Sequence, residues 1–146
     1  MTKKIQIYKN NMKMIRHYLN IAKQRSTLSC AVKKKVGCVI TKNSTLISDG
    51  YNRPPAGYDN KCEDLNNKTK WYVIHAEADA ILKLTKSNIS SNDSTLYTTL
   101  SPCRDCAKLI LESNISRVYY IEEYKDKTGI IFLNNNSVTC HQIYLN

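Results

Sequence analysis

A chain of 146 residues with 42% apolar side chains suits one domain with a single buried core, and two full domains would be crowded. Its formal charge of +10 favours an anionic partner, with a nucleotide, a polymer and a solvated basic surface all left open. The absence of a secretion signal and of any apolar run of about 18 residues argues against secretion and membrane insertion, so we expect a single cytoplasmic domain over residues 1–146.

The first predicted elements are a helix and a β-hairpin. Within residues 12–25, apolar side chains recur at spacings of three and four, which predicts an amphipathic helix packed on a sheet. Two short β-rich runs follow at residues 36–41 and 45–51, and the polar residues between them predict a hairpin turn. Residues 52–70 are rich in Pro, Gly, Asn, Lys and Asp without apolar periodicity. We therefore expect a long loop, and such loops inside a domain are commonly functional.

Helices and strands alternate in the second half of the chain. An apolar stripe predicts a helix over residues 75–86 that begins at His75, and residues 94–99 are predicted to form a strand. A proline in a first-turn position introduces a second helix over residues 103–113, and a further strand follows at 117–121. This order predicts a sheet with helices covering its faces, in which strands joined through helices run parallel.

Two short motifs place reactive side chains at the starts of these two helices. The first is His75-Ala76-Glu77, and the second is Pro102-Cys103-Arg104-Asp105-Cys106. One imidazole and two thiolates suit Zn²⁺, which binds N and S ligands tetrahedrally, and three protein ligands leave a fourth position open for water. His75, Cys103 and Cys106 are therefore predicted to hold a catalytic zinc ion.

Glu77 is the predicted catalytic residue. It lies two residues from His75, and a carboxylate there can move a proton from a water on the metal to a ring nitrogen and a leaving amine. A helix N-terminus stabilises thiolates, which favours metal binding by Cys103 and Cys106. The pattern H-x-E followed by P-C-x-x-C is the signature of zinc nucleobase deaminases and is the strongest functional signal in the sequence.

Each motif alone permits other interpretations. A C-x-x-C pair can be half of a four-cysteine structural zinc site, but the other cysteines, which are Cys30, Cys38, Cys62 and Cys140, form no second such pair. A thioredoxin-like redox pair would leave the His75-Ala76-Glu77 motif without a role. A disulfide framework suits a secreted chain, and no secretion signal is visible.

Over residues 22–124 the chain resembles the deoxycytidylate (dCMP) deaminase family of the cytidine deaminase-like superfamily. The zinc motif is shared across the superfamily, whereas the segments A-K-x-R-S and G-Y-N-x-x-P-x-G indicate the dCMP branch. The matching segments are Ala22-Lys23-Gln24-Arg25-Ser26, Val36-Gly37-Cys38-Val39-Ile40, Gly50-Tyr51-Asn52-Arg53-Pro54-Pro55-Ala56-Gly57, Tyr72-Val73-Ile74-His75-Ala76-Glu77 and the run from Leu100 to Ile110.

The resemblance implies both a fold and an activity. The fold is an α/β architecture of three layers, α/β/α, with a mixed, roughly five-stranded sheet. The activity is zinc-dependent hydrolysis of dCMP to dUMP and ammonia, which supplies dUMP for thymidylate synthesis. The residues beyond Tyr124 are left without an assigned helix or strand.

The resemblance also implies substrate contacts. Asn52 would hydrogen-bond the sugar or base, and Arg25 would help bind the 5′-phosphate, a role that suits a guanidinium. Tyr124 falls where the family has a tyrosine near the phosphate, and Ala76 is included among the substrate-binding positions. A solvated helix-end cation and an ordinary packing tyrosine are the plain alternatives for Arg25 and Tyr124.

Other family features are expected with modification. Members are often hexamers regulated by dCTP and dTTP, so we expect a homo-oligomer with those nucleotides as candidate regulators, and the short tail leaves regulation open. Asp79 stands where the family commonly has asparagine and adds a carboxylate near a site for an anionic nucleotide. Residues 33–35 are three lysines in a segment slightly longer than the family's. Some phage members carry a second zinc ion, to which Cys30 and Cys62 could contribute, although reduced thiols are the simpler interpretation.

Two competing functions remain. A deaminase acting on a polymer, such as tRNA adenosine or single-stranded DNA cytosine, is compatible with the charge of +10, but the scattered lysines favour a free nucleotide. A non-catalytic, zinc-stabilised module that binds nucleic acid would show no turnover. The Asn- and Lys-rich composition is compatible with an AT-rich viral genome, and hence with the cytoplasm of an infected host cell.

Overall fold

A computed structural model describes all 146 residues, which form four helices and five strands. In chain order these are α1 (Lys3–Ser26), β1 (Gly37–Lys42), β2 (Thr45–Tyr51), α2 (Ala76–Thr85), β3 (Thr95–Leu100), α3 (Arg104–Glu112), β4 (Arg117–Glu122), α4 (Thr128–Asn135) and β5 (Thr139–Gln142). None of the helices combines the length and the apolar character needed to cross a bilayer.

The five strands form one mixed sheet in the order β2-β1-β3-β4-β5. β1 pairs antiparallel with both β2 and β3, whereas β3, β4 and β5 pair in parallel. Strands joined through a helix therefore point the same way, and this holds for β2 and β3 although β1 lies between them. The predicted mixed, five-stranded sheet is confirmed.

Helices cover both faces of the sheet, so the fold has the three predicted layers. α1 packs on one face, where Leu19 and Ala22 join a cluster that includes Val39 of β1. The other helices cover the opposite face, and the alternation of side chains along β1 directs Cys38 and Ile40 into the larger apolar cluster there. The two faces therefore have separate apolar clusters on either side of one sheet.

α1 begins earlier than the apolar pattern predicts, at Lys3 rather than at residue 12. Thr2 caps the helix, since its hydroxyl accepts a hydrogen bond from the backbone N–H of Ile5 at 3.4 Å. Residues 1–11 are exposed throughout. No apolar stripe marks these turns because they pack against no other part of the chain.

The segment after Tyr124 contains α4 and β5, neither of which was assigned from the sequence. α4 buries only Gly129, Ile130 and Leu133, and β5 is a four-residue edge strand that alternates between exposed and half-buried residues. Both elements are too short to produce a strong periodic signal.

Gly50 of β2 lets α2 approach the sheet closely. A Cβ atom at this position would lie 2.4 Å from the carbonyl oxygen of Ala76 and 2.7 Å from the backbone nitrogen of Ala80. Backbone atoms cannot yield as a flexible side chain can, so α2 rests directly on the β2 backbone at this point.

Candidate active site

The residues of the candidate site come together at one edge of the sheet. β2, β3 and β4 point in the same direction, so the residues that follow their carboxyl ends meet there, and Asn52, Ser101 and Tyr124 all line one cavity of about 210 Å³. β1 runs the opposite way, so the residues before its start reach the same edge, among them Lys34 and Val36. Ligands bind at this kind of edge in many α/β proteins.

The three predicted metal ligands lie at the starts of two neighbouring helices. His75 is the N-cap residue of α2, Cys103 is the N-cap residue of α3, and Cys106 lies in the first turn of α3. The ligand atoms of the three residues all lie within 4.8 Å of one another. The structure therefore brings together residues that are about 30 positions apart in the sequence.

The distances within this cluster fit a tetrahedral zinc ion. His75 Nδ1 lies 3.5 Å from the sulfur of Cys103 and 3.5 Å from that of Cys106. Zn–S and Zn–N bonds of about 2.3 and 2.0 Å at a tetrahedral angle place sulfur and nitrogen about 3.5 Å apart. The donor set and its spacing thus suit zinc, and three ligands leave one coordination position open.

The thiolate is the form of cysteine that binds metals. A hydrogen bond from the Cys106 thiol, together with others from His75 and the Cys106 backbone N–H, lowers the pKa of Cys103 to about 4. The hydrogen bond with Cys103 raises the pKa of His75.

Glu77 lies in the first turn of α2 and lines the same cavity as His75 and Cys103. Its carboxyl group is buried, with 4% of the residue exposed, and this burial raises the pKa of Glu77. The hydroxyl of Thr98 on β3 lies 3.1 Å from Glu77 Oε1 and can donate to it. A buried carboxyl with a raised pKa, next to a metal cluster, suits a group that both accepts and returns protons.

Three of the four predicted substrate-binding residues line the cavity: Asn52, Ala76 and Tyr124. The backbone N–H of Tyr124 donates to the Ser101 hydroxyl at 2.7 Å, which fixes the segment that carries this side chain. Arg25 does not line the cavity. It lies at the end of α1, where its guanidinium pairs with Asp49 at 3.1 Å, so its predicted phosphate contact stays a prediction.

The cavity is also lined by two lysines, Lys33 and Lys34, which were not among the predicted site residues. Their segment is held by Glu63 of the long loop, whose Oε1 accepts from the backbone N–H groups of Val32 at 3.0 Å and Lys33 at 3.1 Å. Lys34 also pairs with Glu122. The run of lysines before β1 was a visible signal, but the anchoring by Glu63 depends on tertiary structure.

Asp79 does not add a free charge to the cavity. This corrects the expectation that its carboxylate would lie near the anionic nucleotide. It is 2% exposed and is not one of the lining residues. Its Oδ1 accepts from the Arg53 guanidinium at 2.7 Å, and its Oδ2 lies 3.2 Å from the backbone nitrogen of Tyr51. Its charge is therefore compensated within the protein.

Cys30 and Cys62 are also brought together, with 3.2 Å between their sulfur atoms. Burial raises the pKa of Cys62 to about 12, so it is a neutral thiol. No third His, Cys, Asp or Glu joins this pair in a cluster with metal-binding spacing. The pair thus lacks the donor set that His75, Cys103 and Cys106 provide.

Comparison with known proteins agrees with this site. Residues 9–122 match the family model described as the cytidine and deoxycytidylate deaminase zinc-binding region. A probable deoxycytidylate deaminase of Caenorhabditis elegans is 36% identical in an alignment that covers 82% of this chain and 63% of the worm protein. The deoxycytidylate deaminase of Enterobacteria phage T4 is 35% identical in an alignment that covers 76% of this chain and 79% of the phage protein.

A solved structure extends the similarity to nearly the whole chain. The crystal structure of dCMP deaminase from the cyanophage S-TIM5, in complex with dCMP and dUMP, superposes with a TM-score of 0.85 at 33% sequence identity. The superposition covers 98% of this chain and 99% of the cyanophage chain. The shared fold therefore includes α4 and β5.

The three-layer fold and the cluster of one histidine, two cysteines and a buried glutamate define a cytidine deaminase-like protein. Within that class, the chain belongs to the deoxycytidylate deaminase family. It spans 63% of the length of the worm relative and 79% of that of the phage T4 relative.

Proposed function

We propose that this protein is a zinc-dependent hydrolase that converts dCMP to dUMP and ammonia, with residues 1–146 forming one deaminase domain. The observation that carries the proposal is the placement of the buried Glu77 carboxyl beside the cluster of His75, Cys103 and Cys106 in a single cavity. The similarity to a dCMP deaminase crystallised with dCMP and dUMP supports this choice of substrate.

The reaction adds water at C4 of the cytosine ring and releases the exocyclic amine as ammonia. Zinc, held by His75, Cys103 and Cys106, supplies Lewis-acid activation of water when it is bound. The Glu77 carboxylate accepts a proton from the attacking water and delivers protons to ring nitrogen N3 and to the departing amine. The raised pKa of Glu77 suits both directions of transfer. A carboxylate with a raised pKa binds a proton more firmly, so it can keep the proton from the water until it passes it to the substrate.

The 5′-phosphate of the substrate is recognised by cations that line the same cavity. Lys33 and Lys34 belong to a segment that Glu63 anchors through two backbone hydrogen bonds, and Tyr124 lines the cavity as well. An ordered segment that carries two lysines suits a phosphate dianion, since hydrogen bonds between charged groups are the strong ones.

Turnover of wild-type protein tests the proposed activity directly. The zinc-loaded protein should release ammonia from dCMP much faster than from deoxycytidine, which has no phosphate for Lys33 and Lys34 to bind, and also faster than from dCTP or single-stranded DNA. Ammonia release from each substrate is the measurement. Turnover of a DNA or RNA polymer alone, or of none of these substrates, would overturn the proposal.

Removing the charge of Lys34 tests how the phosphate is recognised. Lys34→Gln should raise KM for dCMP about tenfold, because a charged hydrogen bond is lost, while kcat/KM for deoxycytidine stays at the wild-type value. Lys35→Gln is the matched control, since Lys35 is exposed and does not line the cavity. Equal losses on dCMP and deoxycytidine would show that Lys34 supports the fold of the site instead.

The family resemblance extends the proposal to assembly, regulation and location. The protein is a homo-oligomer, a hexamer by resemblance, with dCTP and dTTP as its candidate regulators and no membrane partner. It acts in the cytoplasm, and the similarity to the phage T4 enzyme supports a virus-infected host cell.

A further inference from the structure

Asn52 is joined on both sides to the helix that carries His75 and Glu77. We propose that Asp79 and Arg53 are positioning residues for Asn52, which they hold at a fixed distance from the reactive end of the cavity. This inference rests on the proposed function for its substrate, dCMP. It is independent of whether Asn52 contacts the sugar or the base.

The Asp79 carboxylate contacts both sequence neighbours of Asn52. One oxygen lies 2.7 Å from the Arg53 guanidinium, and the other accepts from the backbone N–H of Tyr51 at 3.2 Å. Asp79 itself lies on α2, one helical turn after His75, and its backbone N–H donates to the carbonyl oxygen of His75 at 2.9 Å. A single buried side chain therefore connects the metal-binding end of α2 to the segment that carries Asn52.

Arg53 provides a second connection between the same two segments. Its backbone pairs with that of Ile74, with N–H to oxygen distances of 3.1 and 2.8 Å in the two directions. Ile74 directly precedes the metal ligand His75. Residues on either side of Asn52 are thus fixed to residues on either side of His75, which determines how far Asn52 lies from the metal cluster.

The side chain of Asn52 still has free hydrogen-bonding capacity. Its Oδ1 accepts from the backbone N–H of Val36 at 2.9 Å, and its Nδ2 donates to the carbonyl oxygen of Lys34 at 2.8 Å. An amide carries two N–H donors and two acceptor lone pairs, so one of each remains for a ligand. Because Asn52 lines the cavity, those groups are available to a substrate.

A purely structural role for the ion pair is the alternative. Buried ion pairs are often no more stabilising than apolar residues of the same volume, but their directional hydrogen bonds fix geometry. Asp79 is 2% exposed and Arg53 has 28% of its side chain exposed, so the pair is mostly shielded from solvent. A second cation, Lys83, lies 3.7 Å from Asp79 but is more exposed and also pairs with Asp49.

Kinetics of Arg53→Gln and Asp79→Asn separate positioning from stability. Each change should raise KM for dCMP about tenfold and leave kcat and zinc content close to wild type, because the hydrogen bond between Arg53 and Asp79, which holds the sequence neighbour of Asn52, is weakened. Lys83→Gln is the control and should leave KM unchanged. A lower unfolding temperature with unchanged KM in both variants would overturn the inference, as would a loss confined to kcat.

A double-mutant cycle tests whether the effect passes through Asn52. Asn52→Ala should itself raise KM, and adding Asp79→Asn to it should raise KM no further, because the two changes disable the same contact. Additive effects would contradict a positioning role.

A catalysis-independent measurement distinguishes this inference from the proposed function. The side-chain amide NMR resonance of Asn52 should shift in Arg53→Gln, because the segment that carries Asn52 is no longer held in place, and should stay unchanged in Lys83→Gln. If wild-type protein fails to deaminate dCMP, the proposed function is wrong. The shift of the Asn52 resonance still tests whether Arg53 positions Asn52. An unmoved resonance in Arg53→Gln would overturn the inference whatever the activity.

Discussion

Glu77→Gln should lower kcat for dCMP by about 10³-fold, because an amide of nearly the same shape cannot accept or return a proton. Gln preserves the volume of the buried side chain and can still hydrogen-bond the Thr98 hydroxyl. Zinc content and unfolding temperature should therefore stay near wild type. The measurement is ammonia release together with metal analysis of the same preparation.

Glu112→Gln is a suitable control for this change, since Glu112 is an exposed carboxylate at the end of α3. It should leave kcat at the wild-type value. Full activity in Glu77→Gln would exclude Glu77 as the proton-transfer group. A loss of zinc together with activity would instead assign Glu77 a role in building the metal site.

Cys103→Ala should reduce bound zinc from about one ion per chain to a small fraction of that and should abolish deamination, because a catalytic zinc site has only three protein ligands. The same change removes the acceptor for the backbone N–H of Cys106, so α3 also loses its N-cap. Loss of a cap costs about 1 kcal/mol, and the unfolding temperature should fall by several degrees without loss of the fold.

Cys140→Ala separates metal loss from the general effect of removing a cysteine. Cys140 is half-buried on β5 and belongs to no metal-binding cluster. The zinc content of Cys140→Ala should equal that of wild type. An unchanged zinc stoichiometry in Cys103→Ala would rule out Cys103 as a ligand and would require another set of donors.

Local patterns were sufficient to predict most of the fold. The hairpin of β1 and β2 was predicted from polar residues between two β-rich runs, and Asn43 and Ser44 indeed adopt positive φ angles of 50° and 60°, as tight hairpin turns require. Residues that pack on nothing, such as the first turns of α1, produce no apolar stripe. Their helix was therefore not predicted.

In the candidate site, too, residues in local motifs could be predicted, whereas residues that depend on tertiary contacts could not. His75, Cys103 and Cys106 could be grouped because each lies in a short motif at a helix start. The partnership of Arg53 with Asp79 could not be predicted, since the two residues are 26 positions apart and neither belongs to a spacing that zinc chemistry demands. The place of Lys34 in the cavity likewise depends on Glu63, which belongs to a loop without periodicity.

The contact between α2 and Gly50 has a consequence for how this sequence can change over evolutionary time. Exchanges among apolar residues of similar volume in the core cost less than about 1.5 kcal/mol, so the apolar cluster beneath α2 can drift in composition. A single methyl group at position 50, in contrast, would meet the backbone of Ala76 and displace the helix that carries Glu77. We therefore expect natural variation to accumulate in the core side chains and to be almost absent at Gly50.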